Sequence, residues 1–363
     1  MKKILVVVGT RPNFIKIAQF KSAAALHNFD LRIAHTGQHF DDNLSAIFFQ
    51  QLKITPDYFL EITNSEPEIQ RSEIKSGLQE IVQNKFSPEL LIVVGDVNST
   101  RAAAEAASEL NIPLAHIESG LRSFDNSMPE ETNRIITDKL SKYFFITEES
   151  GLINLKSEIK DHKHFYFVGN TMIDTLMKFS DQIEQDPILV ELNLEGNNFA
   201  LVTLHRPSNV DTQEALERSL ELLNHIEKKI KLVFPIHPRT YQKLVAFNLL
   251  PLLQNLKNVI ITEPLSYFSF QKLISSCTFV ITDSGGVQEE TTFRKKPCIT
   301  IRPNTERPST IIFGTNTLTN WKLESIDQLI NAIKNNTYKT GTIPPLWDGE
   351  STKRIFQILA EVL

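Results

Sequence analysis

The run "FVITDSGGVQEET", residues 279–291, sets an apolar tetrad against two glycines and then a polar, helix-patterned stretch. Strand, glycine turn and helix in that order form the repeating unit of a parallel α/β sheet. The same run poses a chemical question. Backbone N–H groups at Ser284, Gly285 and Gly286, at a helix start, attract anions, yet Glu289 and Glu290 are anions themselves. Nearly two helical turns beyond Ser284, Glu290 can reach past a pyrophosphate and accept hydrogen bonds from vicinal hydroxyls, as acidic residues hold a ribose. A ligand that carries both an anion and a diol is a nucleotide.

Working outward, similar apolar runs recur at 4–8, 31–36, 90–94, 113–117, 143–147 and 165–168, then at 199–204, 231–236, 258–262, 279–282 and 298–301. They are apolar throughout rather than alternating, which suits strands covered on both faces. Helical stretches such as "TRAAAEAASEL" (100–110) separate them. Two doubly wound α/β domains follow, residues 1–172 and 173–350, with an amphipathic closing helix at 351–363 expected to pack back on the first domain.

Composition narrows the ligand. The chain has 363 residues, 41% apolar and 22% charged, with a net charge of −5. That balance argues against nucleic acid, which needs a basic surface, but leaves room for a small anion. Cys277 and Cys298, the two cysteines, sit beside apolar runs and read as buried thiols. The apolar core of the N-terminal "MKKILVVVGTRP" is five residues, too short for a signal peptide. No run nears the roughly eighteen apolar residues of a membrane span, so no membrane insertion and a cytoplasmic location are expected.

Polar groups at the predicted strand ends carry the chemistry. The first strand runs into Gly9-Thr10-Arg11-Pro12, where a glycine turn feeding a helix offers free N–H groups, and Arg11 and Lys16 add charge for a phosphate. "VVGDVNST" (93–100) places Asp96 past a strand, with Asn98 or Ser99 as the expected helix cap. In "HIESGLRSFDNSMPEETNR" (116–134), Glu118 ends a strand, Pro129-Glu130-Glu131 opens a helix, and Arg134 lies one turn in. Three carboxylates at converging ends, Asp96, Glu118 and Glu130, suit proton abstraction beside a developing cation. His205-Arg206, His237 with Arg239, and Glu306-Arg307 end strands of the second half. No G-x-G-x-x-G and no G-x-x-x-x-G-K-[ST] is present, so neither a nicotinamide fingerprint nor a P-loop is expected. "DHKH" (161–164) reads as a polar surface loop rather than a metal site.

In order along the chain, "GTRPNFIKIA", "TGQHFDDNL", "VVGDVNST", "HIESGLRSFDNSMPEETNR", "VTLHRPSNVD", "TDSGGVQEET" and "TERP" resemble the signature segments of the non-hydrolysing UDP-N-acetylglucosamine 2-epimerases. The resemblance implies two Rossmann-like domains facing across a cleft, glycosyltransferase-B-like, in a homodimer with the UDP-sugar in the cleft. It implies interconversion of UDP-N-acetylglucosamine and UDP-N-acetylmannosamine through loss of UDP to a 2-acetamidoglucal and its readdition, with no cofactor and no metal. Position by position, Asp96, Glu118, Glu130 and His205 match catalytic residues. Arg11, Lys16, Phe270, Ser284, Gly285, Gly286, Glu290 and Arg307 match substrate-binding ones, Phe270 beside the uracil, and Arg134 is counted with them.

Departures from the pattern bear on the sugar. Asn13 stands where glutamate is common, Ser208 and Ser309 replace glutamates, and Lys295 replaces a frequent glycine. Close relatives act on modified UDP-sugars such as diacetamido-glucuronates or fucosamine precursors; the retained Glu306-Arg307-Pro308 favours plain UDP-N-acetylglucosamine. A two-domain glycosyltransferase, a hydrolysing 2-epimerase and a non-catalytic UDP-sugar binder are the competing readings. Some bacterial members of the resembled family need substrate at a second site that uses an arginine where this chain has Pro207; Gln38 and His39 remain, and no obligatory activation is expected.

Overall fold

The structure, a computed structural model, describes all residues except 38–41, 64–65 and 161–163, and the side chains of 42–46. Gln38, His39 and most of "DHKH" therefore lie outside the described residues. The chain divides into two compact units, Met1–Lys178 with Pro345–Leu363, and Phe179–Pro344.

Among the described residues, the first unit is built on seven strands: β1 (Lys2–Val8), β2 (Phe29–His35), β3 (Tyr58–Phe59), β4 (Leu90–Val94), β5 (Leu114–Ile117), β6 (Tyr143–Ile146) and β7 (Phe165–Phe167). They pair in the order β3-β2-β1-β4-β5-β6-β7, and every pairing is parallel. All five residues of β4 and all four of β5 and β6 are buried, as apolar runs covered on both faces require. The alanines of "TRAAAEAASEL" serve the packing: Ala102, Ala103, Ala106 and Ala107 join one core cluster with Leu5, Val7, Leu91 and Val93. Small side chains there let the helix Asn98–Glu109 lie close on the sheet.

The second unit holds β8 (Phe199–Thr203), β9 (Lys231–Pro235), β10 (Val259–Thr262), β11 (Phe279–Thr282), β12 (Cys298–Ile301) and β13 (Asn316–Thr319). Their order is β10-β9-β8-β11-β12-β13, again parallel throughout. In each sheet the strand order reverses beside the first strand of the unit, between β1 and β4 and between β8 and β11. Such reversals open a crevice at the carboxyl ends of the strands. Among the described residues, no helix is long and apolar enough to cross a membrane.

Two strands were not expected. β3 is two residues long and β13 reads Asn-Thr-Leu-Thr. Both lie at sheet edges, where one flank is open and a continuous apolar run is not needed. The expected cap of the helix Asn98–Glu109 is also corrected. Val97 holds the cap position, while Asn98 donates to Gln70 Oε1 at 3.0 Å and Ser99 Oγ shares a hydrogen with Thr36 Oγ1 at 2.6 Å.

The helix Ser351–Val362 belongs to the first unit. Its Phe356 is fully buried, edge-on to Phe20 at 5.4 Å and tilted on Phe29 at 6.2 Å. Phe356→Ala should therefore lower the unfolding free energy of the first unit by about 3–5 kcal/mol, the usual cost of an aromatic truncation in a core. Urea denaturation with a probe in that unit measures it; a loss below about 1 kcal/mol would mean the helix is not part of its core.

Candidate active site

In the first unit the carboxyl ends of β1, β4 and β5 meet. Asn13, in the short helix Arg11–Ile17, reaches back, and its Oδ1 accepts from the Gly9 and Thr10 amides at 3.2 and 3.1 Å. Its Nδ2 donates to the Val94 carbonyl at 3.2 Å. The Gly9-Thr10 amides, expected to be free for a phosphate, are thus taken, because an amide side chain at position 13 closes the turn onto the end of β4. Arg11 is half-buried over the Phe48 ring, 6.0 Å from its centroid.

Lys16 comes from the same helix and meets Glu118 at 2.6 Å, both side chains being buried. Glu118 directly follows β5 with a φ of 66°, a left-handed backbone uncommon outside glycine. Gly95, after β4, has a φ of 73°, and a Cβ there would stand 3.4 Å from Glu118 Oε2 and 3.7 Å from Lys16 Nζ. Glycine thus lets the β4 loop lie against the ion pair. The next residue, Asp96, is partly exposed and pairs with Arg134 at 2.5 Å. Arg134 has no exposed surface, and its Nε and Nη1 have no hydrogen-bond partner among the described residues. Glu130 is half-buried in the first turn of the same helix, Pro129–Leu140.

That helix holds the loops as well. Asn133 donates to the Asp96 carbonyl at 3.0 Å. Glu131 accepts from the Ser123 and Phe124 amides at 2.7 and 3.2 Å. Asp138 lies 2.7 Å from His116 Nδ1 and 2.7 Å from Arg122. Burial alone would raise the Asp138 carboxyl, but the charges of His116 and Arg122 outweigh it and hold the group below the ordinary carboxylate range.

In the second unit the ends of β8 and β11 are joined by Asp283, which is fully buried. Its carboxylate accepts from the His205 and Arg206 amides at 2.9 and 2.8 Å and from Asn209 Nδ2 at 3.0 Å. It also lies 3.0 Å from His205 Nδ1. Burial pushes Asp283 up, yet His205 and the two amides bring it down to about 2. With Nδ1 turned to a carboxylate, the other ring nitrogen of His205 is left for a ligand. The His237 ring stands 5.2 Å from that of His205, and Arg239 is bound to Asp211 through Nε at 2.7 Å.

Ser284 caps the helix Gly285–Phe293, with Ser284 and Gly286 half-buried and Gly285 buried. A Cβ on Gly285 would lie 3.8 Å from both Arg307 Cζ and Glu306 Oε2. Arg307 Nε is 3.0 Å from Glu289, and Arg302 grips Glu306 with two bonds of 3.1 Å. Burial would raise Glu306, but Arg302 and Arg307 hold it well below the carboxylate range. Glu290 is buried and near Arg294 and Tyr267. Phe270 is half-buried in the helix Tyr267–Ser276. The arrangement joins helix-start amides, an arginine cluster and a carboxylate, which together fit an anion bearing hydroxyl groups.

The family profile described as UDP-N-acetylglucosamine 2-epimerase matches residues 21–360. The chain belongs to that family. A UDP-N-acetylglucosamine 2-epimerase homolog of Methanococcus maripaludis is 39% identical over 98% of this chain and 99% of its own. The crystal structure of Methanocaldococcus jannaschii UDP-GlcNAc 2-epimerase in complex with UDP-GlcNAc and UDP matches with a TM-score of 0.91 at 36% identity, covering 99% of both chains. The UDP-2,3-diacetamido-2,3-dideoxy-D-glucuronate 2-epimerase of Pseudomonas aeruginosa is 36% identical over 99% of this chain and all of its own.

Within this 2-epimerase frame, six candidates stand in the first unit (Arg11, Lys16, Asp96, Glu118, Glu130, Arg134) and seven in the second (His205, Phe270, Ser284, Gly285, Gly286, Glu290, Arg307). His116, Asp138 and Asp283 were not singled out from the sequence, and Asn13 stood there only as a departure from the family pattern. Asp138 had a signal, since Glu130, Arg134 and Asp138 recur every four residues on one helix face.

Asp283 gives an acid-stability test. Its carboxyl falls from an ordinary 3.8 to about 2 in the fold, a depressed value, so its contribution of about 2 kcal/mol is present above about pH 4 and lost as pH falls through about 2. Urea unfolding of the wild type should weaken across that window. Asp283→Asn should be less stable than wild type at pH 6, and the gap should narrow by about 2 kcal/mol towards pH 2. A gap independent of pH would refute the assignment.

Proposed function

We propose that the chain interconverts UDP-N-acetylglucosamine and UDP-N-acetylmannosamine without net hydrolysis, as a homodimer. The observation that carries this reading, within a 2-epimerase family, is a pair of carboxylates held against buried cations at strand ends: Asp96 on Arg134 and Glu118 on Lys16. The C2 hydrogen of an intact sugar is hardly acidic, so cleavage of the C1–O bond must run ahead of or along with its removal. The C1–O electron pair leaves with UDP, and the C2–H pair becomes the C1=C2 bond of a 2-acetamidoglucal. A carboxylate among Asp96, Glu118 and Glu130 takes the proton. Return of a proton to the opposite face of C2, with the UDP oxygen bonding again to C1, gives the other epimer.

The remaining candidates fit the leaving group. Arg307 and the amides at Ser284, Gly285 and Gly286 suit the pyrophosphate, Glu290 the ribose hydroxyls and Phe270 the uracil. His205, oriented by Asp283, suits proton transfer at the departing phosphate. A modified sugar is the second reading, favoured by the 36% identical Pseudomonas aeruginosa diacetamido-glucuronate 2-epimerase.

Purified protein with UDP-N-acetylglucosamine alone in heavy water should yield both UDP-sugars with deuterium at C2, read by NMR. No exchange with that sugar, together with exchange in the diacetamido-glucuronate, would select the second reading; free N-acetylmannosamine and UDP would make the enzyme hydrolytic. Glu118→Gln and Asp96→Asn should each cut kcat about a hundredfold or more with little change in UDP affinity. Glu290→Ala should instead weaken UDP binding by about 1–3 kcal/mol, measured by calorimetry.

A further inference from the structure

The geometry points to His116 and Asp138 as positioning residues for the reaction: a buried ion pair that sets the two loops carrying Asp96 and Glu118. His116 has no exposed surface; its Nδ1 meets Asp138 Oδ1 at 2.7 Å and its Nε2 meets the Gly95 carbonyl at 2.8 Å. A carbonyl oxygen only accepts, and an ionised carboxylate only accepts, so both ring nitrogens donate. A histidine used this way is locked in orientation at both ends.

The second carboxylate oxygen of Asp138 works on the other loop. Asp138 Oδ2 accepts from the Gly120 amide at 3.2 Å and lies 2.7 Å from Arg122. Arg122 in turn binds Glu158 through two bonds of 3.0 and 2.6 Å, and its Nη1 donates to the Leu121 carbonyl at 2.8 Å. The two cations and two carboxylates balance, with Glu158 at the surface, which is what makes burial of the other three tolerable.

Where these bonds end is the argument. Gly95 immediately precedes Asp96, and Gly120 follows Glu118 by two residues. Gly95, Glu118 and Gly120 all have left-handed backbones, with φ of 73°, 66° and 80°. Glycine adopts that backbone freely, but Glu118 does so only where surrounding contacts over-determine it. Asp138 supplies such contacts to both loops from one residue, and Arg134, one turn earlier on the same helix, holds the Asp96 carboxylate. A general scaffold would not need its bonds concentrated on the peptides beside two carboxylates. This role rests on the 2-epimerase reading above, although the loop geometry does not.

The test uses the full chain with His116→Leu, which removes both donors, and His116→Gln, whose amide can still donate to the Gly95 carbonyl. UDP-sugar turnover, UDP affinity and amide hydrogen exchange by mass spectrometry are measured for each. A displacement of about 1 Å costs about a hundredfold in rate, so His116→Leu should lose about a hundredfold in kcat and His116→Gln about tenfold. KM and UDP affinity should stay within about threefold. Amides of segments 95–97 and 118–122 should exchange about tenfold faster or more, while the helix Gly285–Phe293 keeps its protection. If His116→Leu does not fold, His116→Gln decides. Unchanged kcat, unchanged loop exchange, or a parallel loss of kcat and UDP affinity would overturn the proposal. A wild type that leaves every UDP-sugar unchanged would instead remove the functional reading, and the loop exchange alone would then decide whether His116 positions these segments.

Discussion

In both sheets every strand runs in the same direction, and each central strand is buried on both faces. Such strands offer no place along their length for an uncompensated polar group. Apart from the paired His116 near the end of β5, charge enters where the strands stop, and in a parallel sheet all of them stop at the same edge. The first unit follows this closely: Leu90–Val94 is apolar and buried, and Gly95-Asp96 begins the instant the strand ends. The second does the same with Phe279–Thr282 followed by Asp283-Ser284. The chemistry is therefore gathered by topology first and refined by side chains afterwards.

Refinement falls largely to one helix in the first unit. Glu130, Arg134 and Asp138 are spaced four apart in Pro129–Leu140, so they lie along one stripe. From it, Arg134 reaches the β4 loop and Asp138 reaches both the β5 loop and, through His116, the β4 loop again. Buried charges of this kind add little net stability, because desolvation offsets most of the attraction. They do penalise any displacement that separates them. That asymmetry suits the proposed role, in which these groups stay in register with a reacting carbon, more than it suits a store of folding energy.

Much of the fold was legible because strands covered on both faces leave a loud signal. Runs such as "ILVVV" and "LLIVV" have no alternative use in a chain of this charge. The edge strands Tyr58–Phe59 and Asn316–Thr319 were silent for the opposite reason: they have one neighbour, and their residues resemble a loop's. Among polar residues, those that end strands stood out, since a charge next to an apolar run is conspicuous. Asp138 did not, because its partners His116 and Gly120 lie 22 and 18 residues away, and Asn13 was noticed only as a departure from the family pattern, since its contact across 81 positions to Val94 leaves no trace in local spacing. Asp283 was visible in the quoted run yet looked like one more turn residue, until the fold laid His205 beside it.

The pairing of bare amides with glutamates in "SGGVQEET" resolves through the same geometry. Adjacent residues on a helix point about 100° apart, so Glu289 and Glu290 face different surroundings. Glu289 turns to Arg307, 3.0 Å away, and Glu290 has Arg294 nearby. Arg302 and Arg206 stand at Glu306. At the helix start Glu289 and Glu306 thus meet Arg206, Arg302 and Arg307, while Glu290 and Arg294, the C-cap, lie towards its other end. An incoming anion meets a field that is not repulsive, although its nearest neighbours include carboxylates. Removing the glutamates would leave buried guanidinium groups uncompensated, and removing the arginines would turn the helix start hostile to phosphate. In the mechanism proposed above, a site that binds a diphosphate and releases it again would gain from such near-neutrality, because a fully cationic pocket would hold the departing group too tightly for it to return to the sugar.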